Sequence, residues 1–129
     1  MSLKFQPKPG SIVICDFHGL VAPEMVKKRP VVIIAKHKHN ARLVTVVPLS
    51  TTHPDPVAAY HYKLGNNPLP DKSKDVVTWA KCDMVVTVSL DRLDRYKIGV
   101  REYVVPVIGQ EELIAIRQCV SIALHIDKV

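Results

Sequence analysis

Apolar and polar positions alternate over short runs through most of the chain, and the pattern shifts to a helical spacing only near its end. "SIVICDF" (Ser11–Phe17) is rich in β-branched residues and follows the turn pair Pro9-Gly10, which predicts a strand. A connector, "HGLVAPEMVKKR", leads to a second apolar run at Pro30–Ala35. Lys36–Ala41 reads as a polar turn, and "RLVTVVPLS" (Arg42–Ser50) as the returning strand. These spacings fit antiparallel strands on short loops and leave no room for crossover helices. "VAAYHYKL" (Val57–Leu64) alternates as a half-exposed strand, and "GNNPLPDKSKD" (65–75) has the Gly, Asn and Pro of a loop.

"VVTWAKCDMVVTVS" (Val76–Ser89) predicts a strand, a bend near Asp83 and a further strand. "LDRLDRYKIG" reads as a helical turn or a loop, and Pro106 assigns "EYVVPVI" to a sheet edge. In the tail, Leu113, Ile116, Val120, Ala123 and Leu124 share one helical face, while Glu111 and Glu112 sit in the first turn, where the helix dipole favours them. Many short strands and one terminal amphipathic helix describe a small β-barrel closed by a helix.

The length of 129 residues fits one domain over 1–129, with its core at about 7–126. Apolar residues make up 47% and charged residues 23%, enough for an ordinary core. Apolar runs such as "PVVIIA" are too short to span a membrane, so none is expected as a partner. "MSLKFQPKPG" lacks the apolar segment of a signal peptide, so export is not expected and a cytoplasmic location is. Cys15, Cys82 and Cys119 are far apart and form no CxxC pair; they read as small buried hydrophobes rather than as a disulfide or zinc framework. The net charge of +6 and pI near 9.3 suit a polyanionic partner. Seven aromatic residues (two Phe, four Tyr, one Trp) are too few for a base-stacking platform, so charge must supply most of the attraction.

Chemistry concentrates where the second strand begins. Pro30 favours an extended conformation for the residue before it, so Arg29 is held at a loop–strand junction. If Pro30–Ala35 and Arg42–Ser50 form a hairpin, its open end brings Arg29 close to Ser50, Thr51 and Thr52. A guanidinium beside hydroxyls suits phosphate, although such hydroxyls also satisfy local backbone in ordinary turns. Lys27 and Lys28 add steering charge, and His53 follows the hydroxyl cluster as a candidate acid or added charge toward phosphate. His37 and His39 have no third ligand at metal-site spacing and read as turn residues, so no metal and no cofactor are expected.

Several stretches together resemble the MazF/PemK toxins of type II toxin–antitoxin systems. The opening "PKPGSIVICDF", an acidic residue in the next loop, "RPVVII", "VVPLST" and the helix "EELIAI" follow the family's order from about Pro7 to Leu124. The resemblance implies an SH3-like barrel that forms a homodimer and cleaves single-stranded RNA without metal. It also implies a cognate antitoxin whose acidic, disordered tail occupies the RNA site. The family's catalytic arginine falls on Arg29 and its catalytic hydroxyl on Ser50, with Thr51 adjacent. Its acidic loop residue falls on Glu24, and a later aspartate on Asp83. The chain departs from the pattern before Arg29, where "APEMVKK" replaces a glycine-containing "GSEQxG" stretch, and at 65–75, which reads as a loop insertion at the groove edge. Two other readings remain open: a non-catalytic toxin that binds a topoisomerase, like the related CcdB proteins, and an inactive RNA-binding relative.

Overall fold

The computed structural model describes residues 2–126. The β-branched runs form three long adjacent strands: β1 (Ile12–Asp16), β2 (Lys28–Lys36) and β3 (Leu43–Ser50). β2 lies between the other two and is antiparallel to both, with Pro30 opposite Ile14 and Val32 opposite Val47. Shorter strands follow: β4 (His61–Lys63), β5 (Trp79–Lys81), β6 (Val86–Ser89), β7 (Leu93–Asp94), β8 (Tyr96–Gly99) and β9 (Glu102–Val104). The helix α1 (Gln110–Ala123) ends the described fold.

β3 changes partner along its length. Leu43–Val46 pair with β6, whereas Leu49 and Ser50 pair with β5. The 3-10 turn Cys82–Met84 between β5 and β6 makes this possible, and it lies at the bend expected near Asp83. The sheet runs β4-β5-β3-β2-β1-β7, while β8 and β9 form a separate ribbon. Among the described residues β4 and β7 do not pair, so the expected barrel is not closed by hydrogen bonds. Their three and two residues offer too few ladder bonds to make that seam.

Side-chain alternation divides the core between the two faces of the sheet. Val13, Cys15, Val31, Ile33, Val44 and Val46 join one cluster with Phe17, Leu90 and Leu93. Ile12, Val32, Ile34, Val47 and Leu49 join the other, which α1 covers with Leu113, Ile116 and Val120. A bulge between Ile33 and Ala35 interrupts the β2–β3 ladder beside Ile34. Arg117 reaches from the helix to the Ile34 carbonyl, donating from Nε at 3.0 Å and Nη2 at 2.6 Å. Glu112 ties the other end, its Oε1 accepting from the Gly65 amide at 2.7 Å.

Three elements differ from the sequence reading. "VAAYHYKL" pairs only at His61–Lys63, because an Ala58–His61 turn occupies its first half. "LDRLDRYKIG" forms a 3-10 turn at Leu90–Arg92 and then contributes β7 and β8, with Leu90, Leu93 and Tyr96 buried behind its charges. Leu124 is exposed because the helix has ended and it serves as the C-cap. Among the described residues no helix is long and apolar enough to cross a membrane.

Cys15 and Cys82 are fully buried, and burial pushes the Cys15 thiol up to about 12. Burial also raises Cys82, and it raises the half-buried Cys119. Thiolates are the reactive form, so the native protein should label with iodoacetamide at no more than one of its three cysteines. Intact-mass measurement checks this, with complete labelling expected in denaturant; rapid native labelling at two sites would contradict the packing.

Candidate functional site

The β2–β3 register builds the site. Val31 faces Pro48, and continuing that register outward by two residues sets Arg29 opposite Ser50. On its other side Arg29 is paired with Cys15 of β1, so its backbone belongs to the sheet while its side chain remains exposed. Arg29, Ser50, Thr51 and Thr52 line one pocket of about 220 Å³. The hairpin corner expected from the sequence is therefore present.

Four other arginines are engaged by the protein. Arg42 pairs with Asp91, Arg92 donates to the Asp16 and His18 carbonyls, Arg95 lies 4.3 Å from the Tyr103 ring centroid, and Arg117 holds Ile34. The Arg29 side chain has no hydrogen-bond or ion-pair partner among the described residues. A guanidinium held by its backbone and unpartnered at its tip is available for an external anion.

Ser50 Oγ accepts from the Thr52 amide at 3.1 Å. That bond fixes the serine side chain and leaves its proton to donate. Ser50 also pairs with the buried Trp79 of β5. His53 packs edge-on against that indole, with ring centroids 5.3 Å apart and 78° between planes, so it flanks the corner rather than lining its pocket.

The remaining sequence candidates lie elsewhere. Glu24 and Asp83 border a separate pocket of about 200 Å³, and Glu24 Oε1 accepts from the Val21 amide at 2.8 Å within its own loop. Lys27 is exposed just before β2. Lys28 lines an adjoining pocket of about 460 Å³ together with Arg92 and Lys97. His37 Nδ1 accepts from the amides of His39 and Asn40, which makes "HKHN" a self-capped turn.

Sequence reasoning missed Asp71, Lys72 and Tyr96, which complete the Arg29–Ser50 pocket. The 65–75 loop delivers the first two. Asn67 organises it: Oδ1 accepts from the Leu69 amide at 3.0 Å and from Thr78 Oγ1 at 2.7 Å, while Nδ2 donates to the Ser73 carbonyl at 2.8 Å. Leu69 is buried in the helix-covered core cluster and anchors the loop. The available signal was "NNPLP", a lone leucine between two prolines in an otherwise polar loop. Tyr96 donates from its hydroxyl to Asp71 Oδ1 at 2.5 Å. Burial and that bond to Asp71 hold the phenol above its ordinary value, so it remains a protonated donor. Asp71 and Tyr96 also line the adjoining pocket, which makes them the shared wall between the two.

Replacing Asn67 with alanine removes the acceptor of the buried Thr78 hydroxyl, a loss expected to cost about 1–3 kcal/mol. Denaturant unfolding checks this, and Asn67→Asp, which keeps the acceptors, should recover part of the loss. Wild-type stability in Asn67→Ala would show that the loop is held by other contacts.

A mainly β fold with a C-terminal helix and an unpartnered arginine beside clustered hydroxyls defines a small protein equipped to hold an anion. Residues 8–124 match the family described as "PemK-like, MazF-like toxin of type II toxin-antitoxin system". The chain belongs to this family. It is 33% identical over 115 residues to the uncharacterized protein YifN of Escherichia coli (strain K12), covering 74% of this chain and 76% of that protein. Among solved structures, an endoribonuclease in complex with its cognate antitoxin from a mycobacterial species superposes with a TM-score of 0.62. Its identity is 19%, with 93% of this chain and 96% of that one covered. The Mycobacterium tuberculosis toxin MazF-mt6 gives a TM-score of 0.58 at 21% identity, covering 91% of this chain and 98% of the other. At those identities the structural likeness establishes the shared fold.

Proposed function

We propose that this chain is a toxin endoribonuclease that cleaves single-stranded RNA without metal through attack by the substrate's own 2′-OH. One observation carries the reading: the unpartnered Arg29 guanidinium shares a pocket with Ser50, Thr51 and Thr52. The attack gives a 2′,3′-cyclic phosphate and a 5′-OH. Negative charge grows on the phosphoryl oxygens as the pentacoordinate state forms, and fixed donors aimed at that charge are the largest electrostatic contribution to such catalysis. Arg29 supplies the planar paired donors, and Ser50 orients a phosphoryl or ribose oxygen with its free proton.

Thr51 and Thr52 extend the polar wall. Lys28 and Lys27 steer the RNA backbone toward the site, and His53 beside Trp79 meets the chain as it leaves. We assign Glu24 and Asp83, which border their own pocket, to nucleotides flanking the cleavage point. The family likeness supports an SH3-like barrel with an unpaired seam, a homodimer and a cytoplasmic setting. The net charge of +6 and the antitoxin-bound structural relative support neutralisation by an antitoxin with an acidic tail.

The test is incubation of the purified protein with a long RNA in excess chelator, followed by end-group mapping. Discrete cuts bearing cyclic phosphate and 5′-OH ends are expected. Intact RNA, or cutting that returns only when a divalent metal is restored, would refute the proposal.

A further inference from the structure

The Arg29–Ser50 pocket needs a base, and its lining narrows the choice to one side chain. Arg29 and Lys72 are cations, Ser50, Thr51 and Thr52 carry hydroxyls, and Tyr96 is held protonated. The other lining residues are apolar, which leaves Asp71 as the one carboxylate in that wall, where no histidine or cysteine lies. We infer that Asp71 is the general base of this site, taking the proton of the ribose 2′-OH; the inference rests on the endoribonuclease reading above.

Three features of the geometry support the role. First, Asp71 makes no ion pair with Arg29 or Lys72, so anion and cation share the pocket without neutralising each other. The space between them can admit a sugar–phosphate unit, with the phosphate toward Arg29 and the 2′-OH toward Asp71. Second, Tyr96 fixes Oδ1 at 2.5 Å, while Oδ2 has no partner among the described residues. The carboxylate is thus oriented with one oxygen left to accept. Third, the loop carrying it is anchored by Leu69 and by the Asn67 hydrogen bonds, so the base is held in place at the pocket. A carboxylate facing a phosphodiester is electrostatically unfavourable unless it accepts a proton there, and general-base catalysis supplies that proton.

The step balances as a transesterification. Asp71 Oδ2 takes the 2′-OH proton as the O2′ electron pair forms a bond to phosphorus. The bond between phosphorus and O5′ breaks, and the departing O5′ takes a proton from water. The hydroxide left behind is neutralised by the proton on Asp71, which restores the carboxylate. Tyr96 does not touch the substrate in this scheme and acts as a positioning residue through Oδ1.

The test compares the wild type with Asp71→Asn on one mapped cleavage site, using the ordinary phosphodiester and a 5′-bridging phosphorothiolate. Sulfur leaves without protonation, so the second substrate bypasses any acid but still requires the base. Asp71→Asn is expected to lower kcat by about 10²–10⁴-fold on both substrates, with KM and the cleavage site unchanged. Tyr96→Phe should show a smaller kcat loss that disappears in the Asp71→Asn background, which a purely structural role would not produce. Activity of Asp71→Asn within threefold of the wild type overturns the assignment. So does a loss relieved by the phosphorothiolate, which marks an acid, or a shifted cleavage sequence at undiminished rate, which marks a base-edge reader. If the wild type cuts neither substrate, the endoribonuclease reading fails first and this assignment falls with it.

Discussion

Arg29→Ala is expected to slow RNA cleavage roughly 100- to 1,000-fold, about 2.7–4 kcal/mol of barrier, while leaving the fold intact. The magnitude follows from position. Arg29 is exposed at its tip and unpartnered, so its removal breaks no internal hydrogen bond or ion pair. Exposed substitutions away from special features usually change stability by within about 0.5 kcal/mol. Its backbone, in contrast, is pinned between β1 and Pro30, so the guanidinium reaches the pocket from a rigid base. Arg29→Lys keeps the charge but loses the planar paired donors, and should recover only part of the rate. Single-turnover cleavage beside thermal unfolding separates the two effects. A variant that loses activity together with several degrees of stability would indicate a structural role for the arginine.

Ile116→Ala should have the largest effect on stability, about 2–5 kcal/mol. Ile116 is fully buried where α1 meets the sheet, in the same cluster as Leu49, Leu69 and Tyr96. Removing its methyl groups leaves a cavity beneath the elements that wall the candidate site. Denaturant unfolding measures the cost, and Leu124→Ala provides the contrast, because Leu124 is exposed and should change little. Similar losses for both would mean that the helix packs through a different face. At low temperature the Ile116→Ala protein should still hold Arg29 in register, since the β1–β2–β3 ladder is formed by pairing among the strands themselves.

The long strands were legible because their β-branched runs alternate between two buried faces and end at turn residues. The same logic made the Arg29–Ser50 juxtaposition readable, since a hairpin with known ends fixes which residues meet at its mouth. The terminal helix was legible from Leu113, Ile116 and Val120. The short strands were not. β7 and β8 sit in "LDRLDRYKIG", where pairs of charges between every third residue conceal three buried side chains, and a strand of two residues has no periodicity to read. Closure of the sheet depends on whether two very short edges meet, a tertiary matter that no local pattern encodes. Asp71 was hidden for a related reason. Its position depends on Asn67 bonding across to Thr78 and on Leu69 reaching the core, and neither contact has a sequence period. The separation of Glu24 and Asp83 from Arg29 reflects the loop before β2, whose Glu24 is occupied with its own backbone.

The reaction proposed for the Arg29–Ser50 pocket is a 2′-OH attack on phosphate. Its most direct test is single-turnover cleavage, in excess chelator, of one mapped RNA site and of the same RNA carrying a single 2′-deoxy nucleotide at that site. Wild type should cut the first and leave the second intact, and Arg29→Ala and Ser50→Ala should each cut the first much more slowly. Cleavage of the 2′-deoxy RNA at the unmodified rate, or full activity in both variants, would exclude that reaction at this pocket.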